Sequence, residues 1–221
     1  MSKLSENFRY VLGIPKTIYF NFKYFKFKDA IKFPVVVSHR TIFKELKGSI
    51  KLEKIKTGMV RIGFGEKENF DFRYNRTIFK NSGEIVFKGK TKIGYGSVIS
   101  NEGKIIIGEN TNFTMIEFIC RDEIEIGDRC LFSWNVSLMD TDHHNIFLVG
   151  NDEVINRSRK IKIGNHVWIG ADVRILKGVS IADNNIIGMG SIITQSIEKE
   201  NVIVGNKIET KILKENIEWK E

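Results

Sequence analysis

The stretch from Ile161 to Thr194 reads IKIGNHVWIGADVRILKGVSIADNNIIGMGSIIT, and in it Ile163, Ile169, Ile175, Ile181, Ile187 and Ile193 recur every six residues without exception. An α-helix of 3.6 residues per turn would scatter these isoleucines around its girdle, and a plain strand repeats every two residues. A period of six fits a short strand followed by a corner, the layout of a parallel β-helix. A small residue follows four of the isoleucines, at Gly164, Gly170, Ala182 and Gly188. Val167, Val173, Val179 and Ser191 come four residues after an isoleucine.

The same pairing of isoleucine and glycine occurs upstream, at Ile62-Gly63, Ile93-Gly94, Ile107-Gly108 and Ile126-Gly127. Gly108 to Gly127 is 19 residues and Gly127 to Gly164 is 37. Three hexapeptides make one circuit of a triangular prism, so a step of 19 is one circuit with a single-residue bulge. Ile107, Phe113 and Ile119, then Ile126, Phe132 and Leu138, supply apolar residues at sixes. These are predicted to point inward and to stack on the next circuit at the strand spacing of about 4.8 Å. Burying each large aliphatic side chain contributes roughly 1.5–3 kcal/mol, enough to hold the coil closed.

The repeat is interrupted after Leu138. From Leu138 to Ile163 is 25 residues, yet MDTDHHNIFLVGNDEVINRSRK contains no hexapeptide phrase. The segment from about 139 to 160 is therefore read as a loop expelled from the coil. A polar loop carried by a rigid scaffold is a good place for chemistry. Its root holds two of the four histidines, His143 and His144, behind Asp140 and Asp142. In an extended chain, Asp140, Asp142 and His144 would share one side while Thr141 and His143 face the other.

Charge divides the chain. Residues 1–60 hold 13 Lys/Arg against 4 Asp/Glu, and residues 61–221 hold 22 against 23, so the net +8 belongs to the N-terminal quarter. Ten of the 24 aromatic residues lie there by Phe43. The segment 1–59 is read as an N-terminal extension, 60–205 as the coil and 206–221 as a tail. YFNFKYFKFK, Tyr19 to Lys28, suits a cap over the open end of the coil. Its basic and aromatic residues also suit peripheral contact with an anionic membrane surface. No recognition motif for nucleic acid is present. Two cysteines, Cys120 and Cys130, give no disulfide framework and no zinc spacing, and read as reduced, packed residues of a cytoplasmic protein.

The repeats, DTDHH at the loop root, IKIGNHVWIGADVRILKGVSI after it and GMGSIIT beyond resemble the hexapeptide-repeat acyltransferases. Within that family the likeness is to sugar and capsular polysaccharide O-acetyltransferases. It covers about residues 60–205, and FPVVVS and GMVRIGFG extend it less specifically toward the N-terminus. The resemblance implies an all-β, left-handed parallel β-helix, and handedness comes from it alone. It also implies acetyl-CoA as donor, a saccharide hydroxyl as acceptor, and a homotrimer with the active site between two coils; no metal is expected, because His143 and His144 face opposite ways on an extended chain and His166 lies away in the repeat.

In the family's D-x-D-x-H pattern, His144 matches the general base, and Asp142 is the candidate to fix its tautomer. The resemblance points to the backbone N–H of Ala171 as the oxyanion donor. It assigns Trp168, Gly170, Ala171, Gly188, Met189, Gly190, Ser191 and Thr194 to coenzyme A, with Gln195 where a lysine is common. Lys211 and Lys214 would reach the nucleotide phosphates. His143, Asn112 and Thr114 fall on the acceptor side, Thr114 standing where relatives use an asparagine. Two other readings stay open: N-acetylation of an amino sugar with the same base, and a non-catalytic β-helix serving as a binding module.

Overall fold

The computed structural model describes residues 3–65, 75–150 and 152–206. Every ladder that joins its strands is parallel, and the strands form three sheets of eight, seven and six strands. These are the three sides of a prism. The first face runs from Val35–Val37 through Val60–Ile62, Thr91–Ile93, Thr111–Phe113, Leu131–Phe132, Trp168–Ile169 and Ile186–Ile187 to Ile203–Val204. The second face runs from Ile42–Leu46 through Ile78–Asn81, Val98–Asn101, Ile116–Cys120, Val136–Met139 and Arg174–Leu176 to Ile192–Ile193. Ser49–Leu52, Glu84–Phe87, Lys104–Ile107, Glu123–Ile126, Ile161–Ile163 and Ser180–Ile181 make the third. The chain visits the faces in that order, so each circuit has a first corner (face one to two), a second (two to three) and a third (three to one).

The six isoleucines that revealed the repeat are all inside, none more than 5% exposed. Ile107, Phe113, Ile126, Phe132 and Leu138 are buried as predicted, and the rings of Phe113 and Phe132 pack 4.7 Å apart between centroids, tilted by 35°. Ile119 is a correction. The first corner of this circuit is one residue short, five from Phe113 to Phe118 against six from Phe132 to Leu138, and the second corner is longer, so the alternation slips by one. Phe118 and Cys120 point inward and Ile119 takes the outer side, with Phe118 opposite Leu138 in the ladder. Such a slip exchanges the two faces of a strand.

The corners explain the small and polar residues. At the second corner Gly48, Gly83 and Gly103 stack backbone on backbone, and a Cβ at Gly83 would fall within the van der Waals radius of the Gly103 carbonyl oxygen. At the third corner Asn110, Arg129, His166, Asn184 and Asn201 all take φ between 54° and 58°. Asn tolerates that left-handed region better than most side chains. Inside the second corner the Asn101 amide donates to the Asn81 side chain at 2.7 Å and to the Glu84 carbonyl at 3.1 Å, while its own side-chain oxygen is buried without a partner among the described residues. Both cysteines are buried thiols within the coil. Burial pushes each of them up, Cys130 to about 11.

The coil begins at Val35, earlier than the boundary at residue 60 read from the sequence. Its first circuit pairs with the second on all three faces: Val35 opposite Val60, Ile42 opposite Ile78 and Ile50 opposite Ile85. A bulge between Phe43 and Glu45 breaks the sixfold spacing there and hides this circuit from the pattern. Helix α1 (Lys3–Tyr24) covers the open edge of the first face. The Thr17 hydroxyl accepts from the Val37 N–H at 2.9 Å, and the Asn21 side chain donates to the Val35 carbonyl at 2.6 Å and accepts from its N–H at 3.2 Å. Two helix side chains thus replace the strand that would otherwise complete this edge. Phe20, fully buried, meets Phe43 and Phe79 at 5.7 and 5.3 Å.

Candidate active site

The segment between Met139 and Ile161 leaves the second corner and returns to it. The Arg159 N–H donates to the Asp140 carbonyl at 3.0 Å, closing the neck, and the Gly178 N–H on the next circuit donates to Arg159 at 3.1 Å. Ile146 and Ile155, with a bridge between Phe147 and Val154, make the excursion a short antiparallel hairpin. Its exposed side chains include Ile146, Phe147, Leu148, Val149 and Ile155. An apolar cluster of this kind marks a surface that meets something.

Asp140 does not share a side with Asp142 and His144. It is fully buried and accepts from the backbone N–H groups of Arg121 at 2.8 Å and Asp122 at 2.9 Å. It caps the corner of the preceding circuit, and burial holds its carboxyl above the usual aspartate range despite those bonds. The extended conformation ends at His143, whose φ is 62°. There the His144 N–H donates to the Asp142 carbonyl at 2.7 Å, two residues back. This is a γ-turn of the rarer hand, a conformation that costs about 1–3 kcal/mol and persists only where its surroundings enforce it.

Three side chains enforce it. Arg121 donates to the His143 carbonyl at 3.0 Å. Asn156, from the returning limb, donates to the Asp142 carboxylate and to the His144 carbonyl, each at 2.8 Å, and accepts from the Ile146 N–H at 2.6 Å. Lys177, on the next circuit, pairs with the Asp142 carboxylate and donates to the Asn156 carbonyl at 2.9 Å. Lys177 and then Asn156 hold the Asp142 carboxyl below its usual range. Asp142 is therefore committed to Lys177 and Asn156 rather than to the imidazole assigned to it from sequence. The exposed His144 ring meets no hydrogen-bond partner among the described residues. Both ring nitrogens remain available to a substrate.

The residues assigned to coenzyme A divide between corners. Gly170, Ala171, Gly188, Met189 and Gly190 gather at the first corner, where the Gly190 N–H donates to the Ala171 carbonyl at 2.9 Å. The Ala171 N–H donates to no group among the described residues. Gly190 (φ 73°) has open space where a Cβ would stand, and Met189 beside it is 74% exposed, so the backbone is bare to a ligand. Ser191 departs from its assignment: it is buried, its hydroxyl donating to the Gly188 carbonyl at 2.7 Å, so its side chain lines no groove. Thr194 is exposed but follows Ile192–Ile193 toward the second corner, away from the glycines.

Trp168 stands outward on the first face, half-exposed, in register with Asn112, Leu131 and Ile186. Leu131, Trp168 and Ile186, with Arg129, His166 and Asn184, line a groove of about 500 Å³. His166 lies at the third corner with its Nδ1 3.1 Å from the Asn184 side-chain oxygen, far from the loop root in the circuit. Among the described residues no group of three His, Cys, Asp or Glu is placed to hold a metal ion. Asn112 and Thr114 come together, with Lys92 and Tyr95, in a groove of about 170 Å³ at the first corner. His143 is at the second. Lys211, Lys214 and the tail beyond residue 206 lie outside the described residues.

In one chain, then, the imidazole and the bare backbone occupy different edges of the prism. The strand Val136–Met139 between them has four residues, a width of about 13 Å at roughly 3.3 Å per residue. A groove of about 380 Å³, lined by Gly96, Glu117, Ser137, Met139 and Arg174, lies on that face.

Comparison with known proteins agrees with this architecture. Residues 160–195 match the family described as bacterial transferase hexapeptide (six repeats). The polysialic acid O-acetyltransferase of Escherichia coli O1:K1 / APEC is 32% identical over 129 residues, 56% of this chain and 41% of that protein. The galactoside O-acetyltransferase of Escherichia coli strain K12 is 42% identical over 98 residues, 43% of this chain and 45% of that protein. The match thus spans less than half the length of these curated relatives. The crystal structure of the polySia-specific acetyltransferase NeuO superposes with a TM-score of 0.55 at 22% identity, covering 80% of this chain and 77% of that one. The protein carries the hexapeptide repeats of the bacterial transferases, and its fold is the left-handed parallel β-helix of acetyltransferases.

Proposed function

We propose that the protein is an acetyl-CoA-dependent O-acetyltransferase acting on a saccharide hydroxyl in the synthesis of a surface polysaccharide. The observation that carries this reading is His144: an unspent imidazole on an enforced γ-turn, at the root of a loop expelled from the repeat. The activity named for the polysialic acid and galactoside relatives supports the acceptor class. An imidazole nitrogen takes the hydroxyl proton as the oxygen attacks the thioester carbonyl. The oxyanion of the tetrahedral intermediate receives a hydrogen bond from the Ala171 N–H. The C–S bond then breaks, the carbonyl reforms, and the imidazolium returns its proton to the thiolate of coenzyme A. No acyl-enzyme is formed. Gly188 to Gly190 would lie along the pantetheine arm. The direct test is release of free coenzyme A thiol from acetyl-CoA over a panel of oligosaccharides. Release no faster than with acceptor omitted, across the panel, would count against it.

The site is complete only when the second corner of one coil meets the first corner of another, which favours a homotrimer. The exposed apolar hairpin at Ile146 to Val149 supplies a surface for that contact. Light scattering on the purified protein is expected to give three times the 25.5 kDa chain mass. A monomeric mass at micromolar concentration would remove this part of the proposal. The location that fits polysaccharide synthesis is the cytoplasmic face of a membrane.

Asn156 is a positioning residue in this scheme. Asn156→Ala is expected to lower kcat about 10²-fold, the scale of a displacement of roughly 1 Å in a reacting group. The KM for acetyl-CoA and the melting temperature should stay near the parent values, because the Asn156 side chain bonds only within the exposed loop. A variant as fast as the parent would show that the turn holds without it.

A further inference from the structure

From Val11 to Phe22, helix α1 carries apolar residues on both its inner and its outer side. Gly13, Thr17, Phe20 and Asn21 face the coil and are buried. On the opposite side Val11, Ile14, Pro15, Ile18 and Phe22 follow one another at i, i+3, i+4, i+7 and i+11, the spacing of a single helical stripe, and all five are exposed. Leu12 and Tyr19 widen the stripe. The short helix α2 (Phe27–Ala30) and the residue after it prolong it: the Phe22 and Phe27 rings lie 6.0 Å apart, and Phe27 and Ile31 are 71% and 49% exposed. A water-facing helix surface this apolar is one that another phase or partner covers.

The rim of the stripe is cationic. Lys23, Lys26, Lys28 and Lys32 are all exposed, and Asp29 is the only acidic residue between Asn7 and Lys44. The flank carries further positive charge. Burial and then Arg76 push Lys16 down; burial and then Arg40, Lys16 and Arg9 push His39 down. A second copy of this surface would bring one lysine rim against another. An anionic sheet with an apolar interior satisfies both parts at once.

We propose that the outer stripe of α1, continued by Phe27 and Ile31, docks this protein on an anionic lipid bilayer, with the lysine rim among the headgroups. The helix lies on the surface rather than through it, since no helix among the described residues is long and apolar enough to cross a membrane. The contact stands apart from acetyl transfer, because none of its residues belongs to the candidate active site.

The test is co-sedimentation of the full chain with vesicles of phosphatidylcholine and phosphatidylglycerol in equal parts, against vesicles of phosphatidylcholine alone. The expected result is binding to the mixed vesicles at least about tenfold stronger than to the neutral ones, falling as salt is raised. Ile18→Asp with Phe22→Asp is expected to abolish binding. Lys23→Glu, Lys26→Glu and Lys28→Glu together should lower it at least about tenfold, as charge reversal at a headgroup-facing rim demands. Acetyl transfer to a soluble oligosaccharide should be unchanged in both variants. Failure of the parent to sediment with mixed vesicles, or equal sedimentation of the lysine variant, would overturn the proposal. So would a smaller assembly mass for the Ile18 and Phe22 variant by light scattering with vesicle binding intact, since the stripe would then be an interface between copies.

Discussion

Replacing His144 by alanine is expected to lower kcat/KM for acetyl transfer by about 10²–10⁴-fold, the usual contribution of a general base. The fold should not change, because the ring is exposed and bonds to nothing among the described residues. Far-ultraviolet circular dichroism and the melting temperature would establish that. His143 gives the matched control. Its φ of 62° and the bond from Arg121 to its carbonyl make it the backbone pivot of the turn. Asn accepts the left-handed region, so His143→Asn should keep most of the activity, whereas His144→Asn should lose it. If instead His143→Asn were the inactive protein and His144→Ala worked at the parent rate, the base would have been assigned to the wrong imidazole.

The two outcomes bear on what could be read without coordinates. The six-residue isoleucine period dictated the coil because six residues fill one side and corner of a prism, a constraint that shows in the side chains themselves. The same constraint exposed the expelled loop by its absence. The interior of that loop is a different case. Asn156 reaches Asp142 and His144 across a hairpin, and Lys177 and Arg121 arrive from neighbouring circuits, 35 and 22 residues from their partners. No local pattern encodes such contacts. The pairing of Asp142 with the imidazole rested on an extended chain, and a single positive φ at His143 undid it. Asp140 was misread for a related reason: its neighbours in space are the backbone groups of the previous corner, 18 and 19 residues away. The N-terminal circuit escaped notice because a bulge disturbs its spacing, and α1 because apolar residues on both of its sides leave little amphipathic contrast.

Stability rests on the stacked interior, and Phe132→Ala is expected to remove about 3–5 kcal/mol, the range for truncating a buried phenylalanine. Phe132 is fully buried, pairs in register with Phe113 below and Ile169 above, and packs against the Phe113 ring. Its neighbours are held by backbone ladders on three sides, so they cannot close over the void. The lost transfer energy and the cavity penalty therefore add. For a domain of this size that is a fall in melting temperature of roughly 6–20 °C, at about 2–4 °C per kcal/mol. Leu131→Ala, one residue earlier, tests the geometry, because Leu131 points outward and is 48% exposed. It should change the melting temperature by no more than about a quarter of the Phe132 effect, as surface substitutions do. Equal losses at the two positions would mean that the strand Leu131–Phe132 does not alternate between core and surface, and the inward column would have to be drawn again.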